Sequence, residues 1–101
     1  MADTFSQAVR LPVLINLETS EKFEIKQSPV SIGRAPNNDI VLSDGFTSGY
    51  HARLFWEEGA WWLEDLQSSN GTSLNGEIII DPVKLTPGNT IKVGHTNFRI
   101  E

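Results

Sequence analysis

Apolar and polar residues alternate along most of this chain in short runs, each broken within a few residues by glycine, proline, asparagine or aspartate. No window sustains a period of 3.6 residues, so the pattern predicts strands and turns and no helix. Residues 13–17 and 22–26 flank a polar Glu18-Thr19-Ser20-Glu21 turn and predict a first hairpin. Pro29 confines the next strand to about residues 30–32, and a short strand over 39–42 follows the Pro36-Asn37-Asn38 turn. Two longer runs, 51–57 and 60–65, are joined by Glu58-Gly59, where glycine supplies the positive φ of a tight hairpin loop. The Asn70-Gly71 and Asn75-Gly76 pairs bracket residues 72–74, and both are strong turn signals. Runs at 77–80, 83–85, 90–93 and 96–101 complete the pattern. About eleven short strands at this spacing predict an antiparallel β-sandwich. Residues 1–10 lack a clear period and read as a flexible tail, which leaves one domain over 11–101.

The central hairpin can be read residue by residue. A two-residue loop sets Trp56 opposite Trp61, Phe55 opposite Trp62, Leu54 opposite Leu63 and Arg53 opposite Glu64. Side chains alternate faces, so Leu54, Trp56, Trp61 and Leu63 belong to the core. Phe55 and Trp62 then form an outer aromatic pair beside Arg53 and Glu64, a candidate second interface.

Composition narrows the function classes. The chain of 101 residues carries 39% apolar and 21% charged residues, the balance of an ordinary globular domain rather than a disordered one. It has no cysteine, which excludes disulfides, thiolate metal sites and cysteine nucleophiles, and two histidines are too few for a histidine-rich metal site. No metal or cofactor is expected. The net charge is −5 and the eight basic residues are scattered singly, so the basic stripe of a nucleic-acid binder is missing. No apolar run reaches the ~18–20 residues of a membrane span. These features predict a cytoplasmic domain, monomeric in isolation, that engages neither nucleic acid nor membrane.

The chemistry-bearing residues fall in the loops. Gly33-Arg34 follows a strand, Ser48 and His51 precede a long one, and Ser69-Asn70-Gly71-Thr72 follows another. A guanidinium, hydroxyls and a carboxamide are what a phosphate monoester needs, and the planar arginine fork matches two phosphate oxygens. Asp44, Ser48 and His51 together suggest a hydrolase triad, but a nucleophile elbow requires a strand-to-helix turn, and no helix is predicted. No enzymatic activity is expected.

The ordered set Gly33-Arg34, Asn38-x-Ile40-x-Leu42-x-Asp44, Ser48-x-x-His51-Ala52, Trp61-x-Leu63-x-Asp65, Ser68-x-Asn70-Gly71-Thr72-x-x-Asn75-Gly76, Leu85-x-x-Gly88-x-x-Ile91-x-x-Gly94 and Phe98 resembles the forkhead-associated (FHA) domain. The resemblance implies an eleven-strand, mostly antiparallel β-sandwich with binding loops at one end. It also implies recognition of a phosphothreonine-containing protein or peptide in Ser/Thr-kinase signalling. By that resemblance Arg34, Ser48 and Ser69 bind the phosphate, and Asn70 holds the peptide main chain just after the phosphothreonine. Gly49 and Phe46 face the peptide, while Gly33, His51, Thr72 and Asn75 support the site. Members of the family often carry arginine or asparagine where this chain has Gly49, and aspartate where it has Asn89. The alternative is a phosphate-independent scaffold of the same fold acting through the Phe55–Trp62 face.

Overall fold

The computed structural model describes residues 11–101, so the tail expected over residues 1–10 lies outside the described residues. Eleven strands form: β1 (Val13–Asn16), β2 (Lys22–Glu24), β3 (Val30–Gly33), β4 (Ile40–Val41), β5 (Ala52–Glu57), β6 (Ala60–Asp65), β7 (Thr72–Leu74), β8 (Glu77–Ile78), β9 (Val83–Lys84), β10 (Thr90–Val93) and β11 (Thr96–Ile100). No helix occurs among the described residues. One sheet has six strands in the order β2-β1-β11-β10-β7-β8, and the other has five in the order β4-β3-β5-β6-β9. All pairings are antiparallel except β3 with β4, where Ile32 stands beside Ile40.

The inward positions fill the space between the sheets. Leu14, Ile32, Leu54, Leu63, Val93 and Phe98 are wholly buried, and Ile25 and Ile91 nearly so. Each such side chain contributes roughly 1.5–3 kcal/mol by leaving water. The β5–β6 register is the one the two-residue loop dictates, with Trp56 opposite Trp61 and Phe55 opposite Trp62. Glu58 and Gly59 both take positive φ, 52° and 75°, as a turn that follows strand twist requires. Trp61 is buried and Trp56 half-buried, their rings edge to face at 5.6 Å.

The strand directions fix where the loops meet. β3 ends, β5 begins, β6 ends and β7 begins at one end of the sandwich, the end where β10 turns into β11. The connections between these strands, including residues 34–39, 42–51, 66–71 and 94–95, therefore gather there.

Candidate functional site

The site starts from Gly33, the last residue of β3. A Cβ at this position would stand 2.2 Å from the Gly49 carbonyl oxygen and 2.8 Å from Asn38 Nδ2, so only glycine lets the two loops close on each other. That approach is stitched by main-chain bonds from Arg34 N–H to the Ser48 carbonyl (3.0 Å) and from Ala35 N–H to the Gly49 carbonyl (3.1 Å). The buried Asn38 carboxamide donates to the carbonyls of Ala35 (2.8 Å) and Gly49 (2.7 Å). Arg34 and Ser48 thus rise from adjacent points of the main chain. The Arg34 side chain is exposed, and no carboxylate among the described residues forms an ion pair with it.

His51 joins this pair of loops to a third. Its ring is wholly buried. Nδ1 accepts from Ser48 N–H at 2.9 Å and Nε2 lies 2.8 Å from the Gly71 carbonyl. A neutral ring protonated on Nε2 satisfies both bonds at once. The Ser48 hydroxyl accepts from Ser69 N–H at 3.0 Å, which leaves its own proton free to donate. His51 therefore touches Ser48 through the main chain and not through the hydroxyl. Asp44 bonds elsewhere, so the three residues do not form a relay of nucleophile, base and orienting acid.

Two carboxylates anchor the loops. Asp65 accepts from the hydroxyl and N–H of Ser68 and from the Thr72 hydroxyl (2.6 Å), while the Ser68 hydroxyl in turn receives Gly71 N–H. Burial works against the charge on Asp65, but the Ser68 and Thr72 bonds outweigh it and hold the carboxyl below its ordinary value of 3.8. Asp44 receives Phe46 N–H (2.8 Å), His95 N–H and the Thr96 hydroxyl (3.1 Å). Desolvation again opposes the charge, and these donors again overcome it, so Asp44 also titrates below 3.8. Above the anchor, the Phe46 ring stacks on His95 with centroids 3.6 Å apart, and Asn70 Nδ2 donates to the Phe46 carbonyl at 2.8 Å. Phe46 remains half exposed, and His95 is exposed.

The structure thus brings Gly33, Arg34, Phe46, Ser48, Gly49, His51, Ser69, Asn70 and, through Asp65, Thr72 to one end of the sandwich. Asn75 stands apart: its carboxamide accepts from Thr90 N–H at 2.9 Å at the other end of β7, where it fixes a turn rather than the loop cluster. Phe55 and Trp62 lie on the outer face as the register predicts, but both are half-buried. The Arg53 guanidinium sits 4.7 Å over the Phe55 ring and pairs with Glu64, and Trp62 Nε1–H is taken by the Glu57 carbonyl. Among the described residues no cluster of three or more histidines, cysteines or acids could hold a metal ion. No helix there is long and apolar enough to cross a membrane. The anchoring roles of Asp44, Asp65 and Ser68 are not evident from their motif positions alone. The Asp65-x-x-Ser68 spacing, an aspartate turn signature next to Asn-Gly, was the available signal.

A charged fork, a hydroxyl with a free proton and a carboxamide, set on cross-tied loops, are groups chemically suited to a tetrahedral dianion. A sequence profile of the FHA domain matches residues 30–94. The chain belongs to the FHA family. The FHA domain-containing protein FhaB of Mycobacterium tuberculosis is 36% identical over 82 residues, covering 81% of this chain and 53% of FhaB. The glycogen accumulation regulator GarA of Mycolicibacterium smegmatis is 36% identical over 79 residues, or 78% of this FHA chain and 48% of GarA. The chain spans about half the length of these relatives. Among solved structures, Mycobacterium tuberculosis EmbR in complex with a low-affinity phosphopeptide superposes with a TM-score of 0.89 at 26% identity, over 97% of this chain and 26% of EmbR.

Proposed function

We propose that this FHA domain is a non-catalytic cytoplasmic reader of phosphothreonine on a partner protein, written there by a Ser/Thr kinase. The observation that carries the reading is the Ser48 hydroxyl, fixed by Ser69 N–H with its proton free, on a loop bonded to the base of the exposed Arg34. Arg34 supplies the charge, Ser48 and Ser69 the neutral donors, and Asn70 the contact to the peptide main chain. The phosphopeptide held by EmbR, a relative of 26% identity, supports the assignment. The phosphate-independent alternative would rest on Phe55 and Trp62; both rings are half-buried and Arg53 lies over Phe55, which favours the loops instead.

Isothermal titration with matched phosphothreonine, phosphoserine and unmodified peptides tests the proposal. We expect selective binding of the phosphothreonine form. Arg34→Ala should weaken it by at least ~10-fold, since a charged hydrogen bond is worth roughly 1.5–3 kcal/mol. Equal binding of the unmodified peptide, or full affinity in Arg34→Ala, would sink the assignment.

A further inference from the structure

The most exposed large apolar side chains of the described residues are not scattered. Ile80 is 91% exposed and Ile78 62%, with Ile79 turned into the core between them at 9%. A single exposed isoleucine is ordinary, but two so close in the chain, one on an edge strand and one just past its end, are not. β8 is the last strand of the six-stranded sheet, and its outer edge pairs with no other strand among the described residues. Glu77 and Asp81-Pro82 bracket the pair and stop strand pairing from spreading, so the apolar surface is confined to this one place.

The edge is continuous with the loop cluster. A Cβ on Gly71 would stand 3.0 Å from Ile78 Cδ1, so Ile78 lies against the residue whose carbonyl His51 holds. A cleft of about 190 Å³ runs from Asn70 and His95 past Lys92 to Ile78. A second, of about 440 Å³, is lined by Leu74, Ile78, Ile80 and Val83 on the side of the β7–β8 ladder that faces the core. Ile78 lines both clefts.

We infer that the phosphothreonine-bearing segment of the partner continues past the loop cluster over the β8 edge and seats an apolar side chain against Ile78 and Ile80. The inference rests on the phosphothreonine reading above. Asn70, which in that reading holds the main chain just after the phosphothreonine, opens the first cleft, so the residues following it lead into the path. The occupant is an extended segment with an aliphatic or aromatic residue downstream of the modified threonine. Unmodified sequence there adds contact area, and the phosphate supplies the switch.

Two phosphothreonine peptide libraries test this, one ending three residues after the modified threonine and one randomised for about ten residues beyond it. Ten extended residues span roughly 33 Å, enough to cross the edge. We expect selection of an apolar residue beyond the third position and about tenfold tighter binding of the selected long peptides. Ile80→Asp, and separately Ile78→Ser, should remove that gain while leaving affinity for the short peptides and the melting temperature unchanged. Equal binding of both libraries, or long-peptide affinity that survives Ile80→Asp, overturns the inference. Concentration-dependent dimerisation that Ile80→Asp abolishes, without downstream selection, assigns the face to a second copy and overturns it too. If neither library binds in a phosphate-dependent way, the reader assignment itself fails, a result distinct from the others.

Discussion

At the scale of single residues, Gly33 and Gly49 carry opposite constraints although they stand face to face. Gly33 has no room for a side chain, because the Gly49 carbonyl oxygen would sit 2.2 Å from its Cβ. Gly49 contributes that carbonyl, yet its own Cβ would meet only Ala35 Cβ at 4.0 Å, an ordinary contact. Position 49 is therefore open to a side chain next to Ser48 and the base of Arg34, and glycine there is a choice the fold does not force. Gly49→Asn should keep the fold, with a melting temperature equal to or slightly above the wild type, since glycine costs conformational entropy on folding. It should also tighten phosphothreonine-peptide binding about three- to tenfold by adding a donor worth roughly 0.5–1.5 kcal/mol. Fluorescence polarisation on the two proteins decides it. Unchanged or weaker binding would mean that position 49 does not face the ligand.

At the scale of elements, the loops behave as one unit because buried polar groups tie them together. His51 spans two of them with its two ring nitrogens, from Ser48 N–H to the Gly71 carbonyl. His51→Ala would empty a fully buried position and strand both partners, and each unsatisfied buried group costs about 1–3 kcal/mol. We expect a loss of about 2–5 kcal/mol in urea unfolding, together with loss of phosphopeptide binding even in molecules that remain folded. A loss below ~1 kcal/mol would show that water replaces the bridge. The elements themselves were legible in the sequence because tight turns fix register: Glu58-Gly59 alone dictates every pair of the β5–β6 ladder. Strand ends were less so. Residues 79 and 80 read as strand from their β-branched character, but β8 stops at Ile78 because the chain there leaves one sheet for the other. Nor could alternation reveal that Arg53 leans over Phe55 and covers part of the outer aromatic face, since that depends on a rotamer and not on a period. The anchoring carboxylates escaped for a related reason: a hub such as Asp44, bonded to His95 N–H some fifty residues away, is defined by long-range closure.

At the scale of the whole molecule, fold and recognition depend on different protons and should separate on an acid titration. Asp44 and Asp65 have carboxyls held below 3.8 in the folded state. A depressed value means that their contribution to stability is fully present above the unfolded value and is lost as pH falls through the folded one. The fold should therefore draw on them throughout the neutral range and lose their support only below 3.8. The proposed ligand titrates earlier, because a phosphomonoester dianion takes up a proton near pH ~6, which halves the charge offered to Arg34. Phosphothreonine-peptide affinity should thus fall as pH drops through about 6. Over the same interval the stability difference between the wild type and Asp65→Asn should stay constant, closing only in stronger acid. Parallel affinity and urea-unfolding series across this range check both halves. Affinity that holds well below pH ~6 would mean that the cradle reads something other than a dianion. A stability gap that closes with the affinity would mean that Asp65 is not the charged anchor its hydrogen bonds make it.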